Sequence, residues 1–174
     1  MTSLLVQILI ALITILGSGV VAAAVNHLFI RAREDRVAQK KRAEELFLAV
    51  GHYSNLLYNN SIWYLHCMQG KMDYMDVVDG TTKLNSADDS KRHFPTVEMM
   101  VSLHFPSLHP HLKAYRDKMM QLELISINFK KHYEDVGRDK LSPSYASTLI
   151  TSLNEIQGLE DKFKKDIVQL SKSI

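Results

Sequence analysis

The sequence predicts an all-α protein: an N-terminal transmembrane helix continuing into a charged stalk and then an antiparallel three- to four-helix bundle. Three observations carry that expectation. Residues 4–30, LLVQILIALITILGSGVVAAAVNHLFI, contain no charged side chain. Residues 31–45 are polar on nearly all sides and rich in good helix formers. From residue 46 onward apolar side chains recur at three- and four-residue spacing, with no strand-like alternation, internal repeat or glycine-rich phosphate loop.

The first element, residues 1–30, is expected to be a membrane anchor. At 1.5 Å per residue the uncharged run covers roughly 40 Å, enough to cross a hydrocarbon core of about 30 Å with some tilt. Ala22, Ala23 and Ala24 offer the small-residue pattern of a cleaved signal peptide. Against cleavage, Met1, Thr2 and Ser3 provide no basic n-region, and the apolar run exceeds the h-region of about 7–15 residues. Lipoprotein processing is disfavoured because the only cysteine, Cys67, lies far downstream.

Orientation follows from the cations at the junction. Arg31, Arg33, Arg36, Lys40, Lys41 and Arg42 follow the run and no Lys or Arg precedes it, which predicts an outside N-terminus and a cytoplasmic C-terminal domain. The chain holds 21 basic and 19 acidic residues, net +2, and the whole excess falls in residues 31–45, with six basic against four acidic. This collar suits anionic lipid headgroups, at about 1 kcal/mol per cation near the surface. Nucleic-acid binding is not expected, because no basic stripe with interleaved aromatics runs along the remainder.

Gln7, Ala11, Thr14, Ser18 and Ala22 share one face of the expected span, and Gly19 and Ala23 add a small-x-x-x-small pair. Leu9, Leu12, Ile13, Leu16 and Val20 populate the other side. Lipid gives no hydrophobic drive for helix association, so small and weakly polar side chains are where spans meet. That face predicts pairing with another membrane protein or with a second copy. The stretch GSGVVAAAVNHLFIRAR, Gly17 to Arg33, followed by a charged helix, resembles the opening of small bacterial single-pass membrane proteins that carry a cytoplasmic helical domain. The resemblance covers about the first quarter of the chain. It implies a bacterial inner membrane, singles out no specific family and transfers no functional residue.

The stalk, residues 31–45, is expected to continue the anchor helix for roughly 20 Å. The bundle, residues 46–174, begins with Leu46, Val50, Tyr53, Leu57 and Tyr64 on one face, interrupted by Asn60. This helix is expected to reach about Gly70, or as far as Val78. Residues 79–95, DGTTKLNSADDSKRHFP, combine turn formers and mixed charge and predict a long, mobile connection. A short helix is expected over Thr96–His104, followed by a turn punctuated by Pro106 and Pro110. The next helix carries Leu112, Tyr115, Met119, Leu122, Ser126, Phe129, Tyr133 and Val136 and stops at Gly137 as a C-terminal cap. Ser142 and Pro143 supply the start of the last helix, which carries Leu149, Leu153, Ile156, Phe163, Ile167, Leu170 and Ile174, with Glu160 at one apolar position and Leu159 beside it. The short connection makes these two an antiparallel hairpin, with the Leu46–Tyr64 stripe as a third wall.

Candidate chemistry is sparse. His104, His109 and His111, with Glu98 or His93 nearby, are the only metal-like cluster, and no thiolate pair supports it. Solvated or capping histidines are the commoner outcome beside prolines, so no metal and no cofactor is expected. Asp73, Asp76 and Asp79 have the wrong spacing for a calcium loop and would oppose the dipole of a helix ending there. That conflict predicts either a helix end near Gly70 or a basic partner on this face. His66 and Cys67 are adjacent in sequence but about 100° apart on a helix, so a buried structural cysteine is expected rather than a nucleophile. Tyr53, Tyr58, Trp63 and Tyr64 read as packing aromatics, with a small-ligand cleft as the alternative. The sequon-like Asn59-Asn60-Ser61 falls within a helix.

These features lead to a non-enzymatic protein that presents a helical interaction or regulatory module within a membrane complex. Its expected partners are lipids and another membrane protein, or itself through the span, with no small-molecule substrate. The alternatives are a homo-oligomeric effector that perturbs the bilayer through its associated spans and a ligand-binding sensor bundle. A tethered hydrolase using the histidine cluster lacks a recognisable nucleophile or metal set.

Overall fold

The structure, a computed structural model, describes residues 2–87, 93–137 and 143–173, with the side chains of residues 2–18, 87 and 93 outside that description. Every regular element among the described residues is helical: α1 (Thr2–Met68), α2 (Tyr74–Ala87), α3 (His93–His104), a 3-10 turn (Pro106–Leu108), α4 (His109–Val136) and α5 (Ser144–Ser173). The chain divides into two units, Met1–Lys41 and Arg42–Ile174, with α1 contributing to both.

In the first unit every described side chain from Gly19 to Lys41 is exposed except the half-buried Ala38. Among the described residues no helix is long and apolar enough to cross a membrane. The uncharged residues from Gly19 to Ile30 alone fall short of the roughly 20 that a span requires.

In the second unit the core starts earlier than residue 46, because Ala43 is already buried with Leu46 and Val50. α4 and α5 form the antiparallel hairpin, tied by His111–Asp166 at 2.9 Å and by Lys118–Glu155. The 42–68 part of α1 runs alongside in the direction of α4. Leu46 and Val50 share one apolar cluster with Leu112, while Cys67 and Met68 share the other with Leu122 and Phe129. α3 closes the first cluster with Val97, Met100 and Val101, and α2 caps the second with Val77. The three-four stripes on α4 and α5 are the faces that pack inward, with Tyr115, Phe129, Leu149, Ile156, Phe163 and Ile167 all buried.

The break after α1 is local chemistry. Gly70, at φ +70°, donates to the Cys67 carbonyl at 2.9 Å, and Lys71 donates to the His66 carbonyl at 2.9 Å. This paired C-terminal motif requires a left-handed residue, which glycine adopts without a Cβ clash. Asp73 then caps α2: its N–H donates to the Asp76 carboxylate at 3.0 Å, while its carbonyl accepts from the Asp76 N–H at 3.1 Å. Asp76 therefore sits in the first turn of a new helix, where the dipole favours a carboxylate. Of the two outcomes that the aspartate run left open, the helix end is the one adopted.

The long connection expected over residues 79–95 is corrected: α2 continues through Ala87 and α3 starts at His93, leaving only residues 88–92 between them, outside the described residues. Gly80 and the two threonines concealed this helix by lowering its propensity. Its stability comes from tertiary packing instead, because Gly80 is buried against Trp63 and Val77 lies in the core. The Thr81 hydroxyl donates to the Val77 carbonyl at 2.8 Å and so has a partner within the helix. α3 also begins three residues before the expected Thr96, with Pro95 tolerated in its first turn.

Candidate functional site

Three regions carry features beyond core packing. The first is the apolar part of the N-terminal unit, where Val20, Val21, Val25, Leu28, Phe29 and Ile30 are exposed, Phe29 at 72%. Contiguous apolar surface of this kind marks a contact with a membrane or another protein. Of the expected helix-contact residues, Gly19, Ala22 and Ala23 lie on this exposed helix. The side chains of Gln7, Ala11, Thr14 and Ser18 lie outside the described residues. Arg31, Arg33, Arg36, Lys40, Lys41 and Arg42 are all exposed.

The second is a polar layer between the two apolar clusters of the bundle. Each of its three main helices contributes: Ser54 on α1, Tyr115 on α4, and Glu160 with Lys164 on α5. Ser54 and Tyr115 share a buried hydroxyl–hydroxyl hydrogen bond of 2.7 Å. Glu160, only 8% exposed, pairs with Lys164 at 2.5 Å. The Lys164 ammonium also lies 5.2 Å from the centre of the Phe47 ring. Gly51 makes this possible, because a Cβ there would lie 3.2 Å from the lysine nitrogen. Among the described residues the buried Tyr58 hydroxyl has no hydrogen-bond partner. Burial, assisted by the Glu160 and Asp161 charges, pushes its phenol from 10.0 up to about 12. Burial likewise raises Tyr115, opposed by the Ser54 hydrogen bond, which lowers it. Glu160 was legible as an oddity in an apolar stripe, one turn before Lys164; its approach to Tyr58 was not. The Glu160 carboxylate is thus held by Lys164 within α5, and the pair meets α1 through the Lys164 ammonium at Phe47 and Gly51.

The third is a groove of about 310 Å³ between α1 and α4, lined by Tyr53, Leu57, Tyr64, Met119, Met120 and Glu123 among others. Burial, with a lesser contribution from Glu123, pushes the Tyr53 phenol up to about 12. Tyr53 also packs against Phe94 with ring centres 5.1 Å apart, over which Arg116 lies while it pairs with Glu98. Its size and apolar lining place it at the lower end of what small-molecule sites use.

The histidines do not converge. His104 and His109 are exposed, whereas His111 pairs with Asp166 and stacks on Phe163 at 6.2 Å between ring centres. Glu98, the carboxylate nearest them in sequence, is held by Arg116. Among the described residues no three His, Cys, Asp or Glu side chains form a metal-holding group. Cys67 is buried in the second cluster. No protein-family model matches the chain, and neither does any curated protein or solved structure.

Proposed function

We propose that the chain is a single-pass, membrane-anchored interaction protein without enzymatic activity, carrying its helical bundle on the cytoplasmic face. The observation that carries this reading is the uncharged run of residues 4–30, whose described part is exposed around the whole helix and ends at six closely spaced cations. Exposed apolar surface followed by a basic collar is the arrangement that lipid stabilises and water does not. Among the described residues of the bundle, the buried Glu160 is paired with Lys164 and His111 with Asp166.

Alkaline extraction of membranes from cells making the full-length protein tests the anchor, and reporter fusions at each terminus test its direction. Retention in the pellet with a cytoplasmic C-terminus is the expected result. Release into the supernatant would overturn the anchor, and an external C-terminus would overturn the orientation.

A second reading, a sensor bundle for a small apolar ligand, is supported by the groove between α1 and α4. Native mass spectrometry of the gently solubilised protein would then show a co-purifying small molecule, lost when Met119→Trp fills the groove. Protein of the bare chain mass throughout would remove this reading.

A further inference from the structure

α4 carries a second stripe, on the side away from the core. Met120, Leu124 and Ile127 are 49%, 56% and 54% exposed, and all three lie within about 60° of one another on the helix. Lys113 and Asp117 precede them and Lys131 and Asp135 follow, all exposed and all within about 20° of the Leu124 direction. Among the described residues none of these four charges makes an ion pair, although their neighbours Arg116, Lys118 and Lys130 do.

The order of the charges is self-complementary. Lys113 and Asp135 are equally far from Leu124 on opposite sides, as are Asp117 and Lys131. When two such helices cross antiparallel about Leu124, each lysine therefore meets an aspartate of the other copy. A parallel pair would set Lys113 against Lys113 and Asp117 against Asp117. An isologous contact of this kind is what a two-fold axis requires, and complementary charges fix its register.

We propose that the outer face of α4 is a homodimer interface, in which a second copy of this chain packs antiparallel about a two-fold axis at Leu124. Leu124 meets its own copy at the axis, Met120 and Ile127 flank it, and the four lysine–aspartate pairs form the rim. The inference uses only the second unit and holds without the anchor.

The test uses the full-length protein in mild detergent, sized and chemically crosslinked. The wild type is expected as a dimer and Leu124→Glu as a monomer, with unchanged helix content because the position is exposed. Lys131→Asp weakens the dimer about tenfold, and adding Asp117→Lys restores it by exchanging the charges across the interface. Leu124→Cys forms a disulfide between copies. Met120→Cys does not, because its two copies lie roughly 12 Å apart along the axis, beyond the ~7 Å reach of a disulfide. A monomeric wild type, a dimer that survives Leu124→Glu, failure of the exchanged pair to restore association, or equal crosslinking at both cysteines would each overturn the interface.

Discussion

Replacing Gly80 by alanine places a methyl group 2.5 Å from Cδ2 and 2.6 Å from Cε2 and Cε3 of the Trp63 indole. Carbon atoms in favourable contact sit about 3.5–4.0 Å apart, so α2 or the indole must move by roughly 1 Å. The ring is planar and rigid, and α2 is fixed at its start by the Asp73–Asp76 cap. Overpacking of this kind costs about 1–3 kcal/mol, against about 1 kcal/mol gained from alanine's helix propensity. With a rigid ring as the obstacle we expect a net loss of about 2 kcal/mol. Gly158 provides the matched control, since a Cβ there meets nothing within 4 Å on an exposed part of α5. Gly158→Ala is expected to stabilise by about 0.4–1 kcal/mol, so the same substitution changes sign between the two helices. Urea titration of the detergent-solubilised full-length protein, followed by circular dichroism and by the emission of Trp63, the only tryptophan, reads both effects. Gly80→Ala as stable as the wild type, with unaltered tryptophan emission, would refute the packing of α2 on α1.

The remaining predictions concern the polar layer, the tyrosines and the cap. Lys164→Met leaves the buried Glu160 carboxylate without its partner and is expected to destabilise by about 1–3 kcal/mol, whereas Lys164→Met with Glu160→Leu removes both charges and comes close to neutral. Equal losses in the single and double variants by urea titration would show that the pair is not coupled. Tyr53, Tyr58 and Tyr74 have phenols raised to about 12 in the folded chain, chiefly by burial, against 10.0 for an unperturbed tyrosine. The folded state therefore holds these protons more tightly than the unfolded state. Their contribution is fully present below about pH 10 and is lost as pH rises through 12. Stability measured across that window should fall while tyrosinate absorbance appears late, and complete tyrosinate formation near pH 10 in the folded protein would contradict the burial. Asp76→Ala removes the carboxylate that accepts from the Asp73 N–H at the start of α2 and should cost about 0.5–2 kcal/mol, seen as faster amide exchange over 74–81 than over α4.

The inward faces of α4 and α5 were readable because helical periodicity alone dictates which side chains can share a core. Leu112, Tyr115, Leu122, Phe129, Leu149, Ile156, Phe163 and Ile167 are all buried as that spacing implies. The α2 helix was hidden because its stability resides in the contact of Gly80 with Trp63, between residues seventeen positions apart, and not in local propensity. The candidate sites follow the same division. The three histidines are close in sequence yet point to different surroundings, while Ser54, Tyr115 and Glu160, far apart in sequence, come together.

By itself the sequence determined the all-α class, the positions of the main helices, the isolated basic collar and the uncharged N-terminal run. Each depends on periodicity or on charge within a short window, and those properties act locally. Only the tertiary structure decided that Glu160 meets a buried layer rather than solvent and that the Lys113–Asp135 stripe of α4 faces outward. Each of these depends on which helix lies across the gap, and that depends on side-chain volume and on close approach at residues such as Gly51 and Gly80, which no local pattern records.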